Sequence, residues 1–182
     1  MSKKMSYILE KDKSIAVILF ILNALEHSDI HKLCKIIYFA DQKHLARYGR
    51  PITGDWYVAM KDGPVPSNIY DFIKIVRGDS MYQDPSLNDA FEIKHSYMLV
   101  PKRKPDLDEL STSEIGCLEE SICDNRKLSY AELVNKSHDE AYRNATINNK
   151  LAFEDIARCG GATDDMLNYI ITTAENMLFS TL

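Results

Sequence analysis

The amino-acid sequence predicts an α+β protein that is mainly α: a helical bundle with a small antiparallel β-sheet or hairpin. Three observations lead there. Several segments repeat apolar residues at helical spacing between caps and stops, as in "DKSIAVILFILNALEH" (12–27) and "TDDMLNYIITTAENMLFSTL" (163–182). Strand-like alternation is confined to short stretches, around Trp56–Met60 and in "FEIKHSYMLVPKRKP" (91–105). No strand–helix–strand succession occurs that would build a doubly wound parallel sheet.

Each element follows from local signals. The first helix, 12–27, is apolar almost all round, which marks a buried central helix, and Asp12 or Ser14 stands at its cap position. The second, in "HSDIHKLCKIIYFADQKHLARYG", has Ser28 or Asp29 as cap and Gly49 as stop. A strand of about five residues follows, with Trp56, Val58 and Met60 on one face. "GPVPSNIYDFIKIVRG" then turns into a helix with Ser67 as cap; Ile69, Tyr70, Phe72, Ile73 and Val76 form its apolar face, and Gly78 ends it. Residues 79–90 are polar and read as loop. Phe91–His95 and Tyr97–Pro101 read as two strands that pair as a hairpin or join the strand around Tyr57, giving a three-stranded sheet. Ser111 and Glu114 form a capping box for a helix over 111–124, and a helix over 129–137 breaks at Ser137-His138. A short helix in "FEDIARCG" stops at Gly160-Gly161 before the final amphipathic helix.

Bulk properties narrow the function. A chain of 182 residues with 45% hydrophobic and 27% charged residues fits a single domain over 1–182. With 22 basic against 27 acidic residues the net charge is −5, which argues against a broad nucleic-acid-binding face. The longest apolar run, "IAVILFIL" (15–22), is shorter than the roughly 20 residues of a bilayer span. Glu10 and Asp12 interrupt what would be the basic start of a signal peptide, so a cytoplasmic location is expected. Cys34, Cys117, Cys123 and Cys159 form no C-x-x-C pair, so they read as small buried hydrophobes of a reducing compartment; no metal or cofactor is expected.

One stretch is dense with chemistry. Continuing the apolar stripe Ile30, Leu33, Cys34 and Ile37 by helical steps gives Asp41, His44 and Tyr48, so a core-facing stripe turns polar over its last two turns. Two readings stand: Asp41 and His44 bind loop amides and anchor the Gly49-Arg50-Pro51 corner, or the polar face is open to a ligand or partner. An acid–base pair near Tyr38, Tyr48 or Tyr57 would need an accompanying nucleophile or metal motif, and none is present. Pro64 and Pro66 fix a rigid corner that presents Trp56, Tyr57 and Tyr70, and Gly63 permits close backbone approach. "LSYAELVNKSHDEAY" could form a short helix–turn–helix, but its mixed charges suit scaffold better than a DNA groove.

Residues 35–67 carry a recognisable pattern: "KIIYFADQKHLARYG" followed by "RPITGDWYVAMKDGPVPS". In it Lys35, Tyr38, Asp41, His44, Tyr48, Gly49, Arg50, Tyr57, Gly63, Pro64 and Pro66 stand at fixed spacings that resemble the SocA-like, or Panacea, antitoxin domain. "LSYAELVNKSHDEAY" resembles a later segment of the same family; Asp62 departs from a position where members often carry an aromatic. The resemblance implies a bacterial or prophage, phage-associated cytoplasmic protein, part of a toxin–antitoxin system, whose partner is a cognate toxin protein. It implies no catalytic residue, metal or cofactor, and membrane or nucleic-acid partners are not expected. Tyr38, Asp41, His44, Tyr48, Arg50, Trp56, Tyr57 and Tyr70 are the expected partner-binding residues. The alternative is a proteolytic adaptor delivering the toxin to a protease, or a DNA-binding regulator of the toxin operon.

Overall fold

A computed structural model of the chain describes residues 7–179, and side chains through 173. The elements run α1 (Lys11–Leu25), β1 (Ser28–Asp29), α2 (Ile30–Tyr48), β2 (Tyr57–Met60), β3 (Gly63–Pro66), α3 (Ser67–Arg77), α4 (Pro85–Ala90), β4 (Phe91–Lys94) and β5 (Met98–Pro101). A 3-10 turn at Leu107–Glu109 leads into α5 (Thr112–Asn125), α6 (Tyr130–Ser137), α7 (Glu140–Asn144), α8 (Phe153–Cys159) and α9 (Asp164–Phe179). The protein is mainly α with small antiparallel sheets, as its sequence predicts.

The hub is α2, which packs against α1, α5, α6, α8, α9 and β3. Its middle is buried on every side, from Leu33 through Gln42 without a gap. α1 is buried along Ser14–Leu19 and at Ile21 and Leu22, so the expected central helix is one of two. Local chemistry ends α2 as its sequence predicts. Asp29 accepts the Lys32 N–H at 2.8 Å, and Gly49 adopts φ 73° while donating to the Leu45 carbonyl. At α1 neither Asp12 nor Ser14 caps: Glu10 holds the cap position without a side-chain bond, and the Ser14 hydroxyl donates to the Glu10 carbonyl.

Several expected elements are corrected. The strand around Tyr57 pairs with β3 rather than with the later hairpin, Tyr57 facing Pro66 and Met60 facing Gly63. The three-stranded sheet has the order β1-β5-β4, its third strand supplied by Ser28–Asp29. The phase of β2 is inverted as well: Tyr57 and Ala59 are buried, while Met60 is exposed. Residues 85–90 form a short helix inside the expected loop, capped by Asp84 with Pro85 in its first turn. Cys34 and Cys117 are buried, but Cys123 is exposed, so the four cysteines do not share one role.

Where α8 ends on α2, Gly160 gives the packing a sharp test. A Cβ there would meet the Gln42 carbonyl oxygen at 2.1 Å and the Ala46 Cβ at 3.1 Å. Its φ of −78° suits any residue, so alanine is penalised by space alone. Gly160→Ala is expected to cost about 1–3 kcal/mol by overpacking. Gly116→Ala, in α5 with nothing within 4 Å of the added carbon, is expected to gain up to about 1 kcal/mol. Urea midpoints of the two variants measure the contrast; equal midpoints would contradict this close helix approach.

Candidate functional site

The polar end of α2 faces inward. Asp41 is fully buried; its carboxylate accepts the Ile52 N–H at 2.7 Å and the Tyr57 hydroxyl at 2.7 Å. No cation pairs with it among the described residues. Burial therefore pushes its carboxyl up to about 7, although the Tyr57 and Ile52 hydrogen bonds pull the other way.

His44 is also buried, with Nδ1 2.7 Å from the Arg50 carbonyl and Nε2 3.2 Å from the Ser113 hydroxyl. A carbonyl only accepts, so Nδ1 carries the proton and Nε2 accepts from Ser113. Burial lowers its pKa, keeping the ring neutral. Asp41 and His44 are thus not hydrogen-bonded to each other; each holds a different part of the Gly49–Ile52 corner. Arg50 completes the corner by donating to Glu114 at 2.9 Å. Burial works to raise Glu114, but the Ser111 hydrogen bonds, Lys13 and Arg50 together hold it below the usual carboxylate range.

A second tie sits before β2. Asp55 accepts the backbone N–H groups of Trp56, Asn68 and Ile69 and the Asn68 amide, at 2.8, 3.0, 2.9 and 2.8 Å. It therefore caps α3 from a distance. The expected cap, Ser67, is instead the first helical residue, and Pro66 holds the cap position with no side-chain bond. The prolines of β3 fit for a related reason. Ala59 exchanges backbone bonds with Asn148 and Asn149, and the Tyr57 carbonyl accepts from Leu151. Pro64 and Pro66, which face Ala59 and Tyr57, are asked for no N–H by β2.

A third tie joins α2 to the later segment. Asp139 accepts from the Tyr38 hydroxyl at 2.9 Å and from Gln42 at 2.6 Å, and caps α7 through the Tyr142 N–H at 3.0 Å. The expected helix–turn–helix segment is in this way bound to the core of α2.

Comparison with protein families now bears on these ties. The family described as antitoxin SocA-like, Panacea domain, matches residues 33–142, more than half of the chain. The chain belongs to this family. The matched region of this Panacea protein begins within α2 and ends in α7, so it contains Asp41, Asp55 and Asp139 together with every hydrogen-bond partner named above for them; Asn148, Asn149 and Leu151, which bond β2, lie beyond it. No curated protein and no solved structure matches the chain.

The Panacea signature is largely internal. Tyr38, Asp41, His44, Tyr57, Gly63, Pro64 and Pro66 are buried, Trp56 and Tyr70 are half-buried, and only Tyr48 and Arg50 are well exposed. The residues expected to form one contact surface are therefore divided between the interior and two separate places outside. Tyr48 and Arg50 lie at the C-terminal end of α2, and Tyr70 lies on α3 beside a cleft at the N-terminal end of α2. Trp56 carries the Lys150 ammonium 3.7 Å above its ring. Sequence reasoning passed over Asp55, Glu114 and Asp139 as ties and Lys35 as a site residue. Glu114 has a local signal in its capping box and Asp139 in its cap on Tyr142, but the ties of Asp139 to Tyr38 and Gln42, of Asp55 to Asn68 and Ile69, and of Lys35 to Pro64 join residues distant in sequence. Among the described residues, no group of three or more His, Cys, Asp or Glu is placed to hold a metal ion, and no helix is long and apolar enough to cross a membrane.

Proposed function

We propose that this chain is the antitoxin of a bacterial or prophage toxin–antitoxin pair, and that it neutralises its cognate toxin in the cytoplasm by direct binding. The observation that carries the reading is the family match over residues 33–142. The geometry is compatible with it in a specific way. Asp41, His44, Asp55 and Asp139 spend their hydrogen bonds inside the fold, which makes the signature a rigid frame. Binding then falls to side chains on that frame that still reach solvent, Tyr48, Arg50, Trp56 and Tyr70 among them. The packing of α1, α8 and α9 on α2 supports treating residues 1–182 as one functional unit.

Co-expression tests the proposal. The protein encoded beside this one is expected to arrest growth when produced alone, and to be harmless and co-purify when this chain is present. A neighbour that is harmless alone, or that stays toxic in the presence of this chain, defeats the reading.

A further inference from the structure

The cleft at the N-terminal end of α2, about 560 Å³ in volume, has a basic floor and apolar walls. Lys35 lies in the floor at 1% exposure, and its ammonium donates to the Pro64 carbonyl at 2.9 Å. Among the described residues no carboxylate pairs with it, although an ammonium carries three donors. Burial pushes its pKa down to about 8. A methionine of similar length would fill the same space without desolvating a charge, so the lysine is not explained by packing. Gly63 makes room for it: a Cβ there would meet the Ser137 hydroxyl at 2.4 Å and the Lys35 ammonium at 3.1 Å.

The walls and mouth are of another kind. Val65, Tyr70 and Met98 line the cleft half-buried, while Met60, Tyr97 and Tyr130 are 37%, 53% and 55% exposed at its edge. His31 stacks on Tyr130 with ring centres 4.2 Å apart, and its Nε2 lies 3.2 Å from the Asp62 carbonyl. That contact puts the ring proton on Nε2 and leaves Nδ1 a buried acceptor without a partner. Of the two nearby carboxylates, Asp29 is committed to the Lys32 N–H at 2.8 Å, and Asp62 is exposed on the β2–β3 turn.

An under-used cation, an unfilled acceptor and aromatic walls together complement a peptide: a carboxylate, a backbone N–H and a large apolar side chain. We propose that this cleft receives a short segment of the partner protein in which an acidic residue stands beside a large apolar one, the carboxylate pairing with Lys35 and the apolar side chain lying among Tyr70, Met98 and Tyr130. The proposal rests on the reading of the chain as a protein-binding antitoxin. It deepens that reading by naming the chemistry of the bound segment.

The test pans a phage-displayed library of random peptides against the full-length protein and resynthesises the enriched sequences. Enrichment of Asp or Glu next to Leu, Phe or Trp is expected. Binding of the resynthesised peptides should weaken at least tenfold in Lys35→Met and in Tyr130→Glu, and stay unchanged in Tyr82→Ala, in the loop before α4. Lys35→Met should unfold at the same or higher urea concentration than the parent; if it does not fold, the exposed Tyr130→Glu decides alone. No enrichment, enrichment without an acidic residue, or peptides that bind Tyr130→Glu as well as the parent overturn the proposal. Co-expression separates it from the antitoxin reading. Neutralisation that survives in both cleft variants sinks the cleft and leaves the antitoxin, whereas a toxic neighbour not rescued by the parent sinks the antitoxin while the peptides still judge the cleft.

Discussion

Replacing Asp55 with alanine is expected to cost about 4 kcal/mol. Its carboxylate accepts three backbone N–H groups and one side-chain amide. A buried donor left without an acceptor costs about 1–3 kcal/mol, and a lost helix cap typically about 1. The Ile69 N–H is buried, while those of Trp56 and Asn68 are partly reached by water, so the sum falls near the middle of the range. In a chain of this length that corresponds to a fall in Tm of roughly 10 °C.

Two companions keep the prediction sharp. In Asp55→Asn one carbonyl oxygen can still serve the Trp56 and Asn68 donors, but the new amide group faces the Ile69 N–H, donor against donor. About half of the loss is expected. Ser67→Ala, at the position where sequence alone places the cap, should change stability by less than about 0.5 kcal/mol. Urea unfolding with an unchanged slope checks all three. A Ser67 variant as damaging as the Asp55 variant would restore the local cap and remove the distant one.

The contrast between Ser67 and Asp55 also explains what was legible in the sequence. Signals that act within one turn were readable. Asp29 caps α2, Gly49 and Gly78 end α2 and α3 in left-handed geometry, and the Ser111–Glu114 box starts α5, all where the sequence places them. Asp84 and Pro85 carry the same kind of signal for α4, but the helix is six residues long and its surroundings are polar, so the pattern reads as loop. Signals that depend on a distant partner were not readable. The two residues of β1 become a strand only because Leu99 and Met98 come alongside. The phase of β2 follows from the Tyr57 hydroxyl reaching Asp41 and from Leu151 and Asn149 bonding its other edge, not from which residues are apolar. In the candidate site, the anchoring reading of Asp41 and His44 could be framed from spacing alone. That Lys35 lies uncompensated in a cleft could not, because the walls come from β2, β3, α3, β5 and α6.

Stability should fall with rising pH where Asp41 titrates, opposite in sign to a salt-bridged carboxylate. Its folded pKa is raised from the usual 3.8 to about 7, because burial without a cation outweighs its two hydrogen bonds. Between those values the folded chain keeps the proton that the unfolded chain has released. The contribution of Asp41 is therefore complete below about pH 4, declines by at most about 1.4 kcal/mol per pH unit, and levels off above pH 7. Glu114 runs the other way: its folded pKa is lowered, so its contribution is present above the usual glutamate range and is lost as pH falls through the folded value. A bare pH profile would mix the two, and Asp41→Asn separates them. Asparagine does not titrate and can still accept the Ile52 N–H, and its amide N–H can donate to the Tyr57 hydroxyl oxygen where the protonated carboxyl has its own O–H, so it stands in for the protonated form. The two proteins should accordingly be of similar stability near pH 4, and the parent should fall below the variant by pH 7. A parent-minus-variant difference in urea midpoint that stays flat from pH 4 to 8, or grows with pH, would mean that Asp41 is ionised in the fold and has a cation beside it. A falling difference would identify the carboxylate at the centre of the Panacea signature as a buried acid that holds the corner between α2 and β2 from inside the fold.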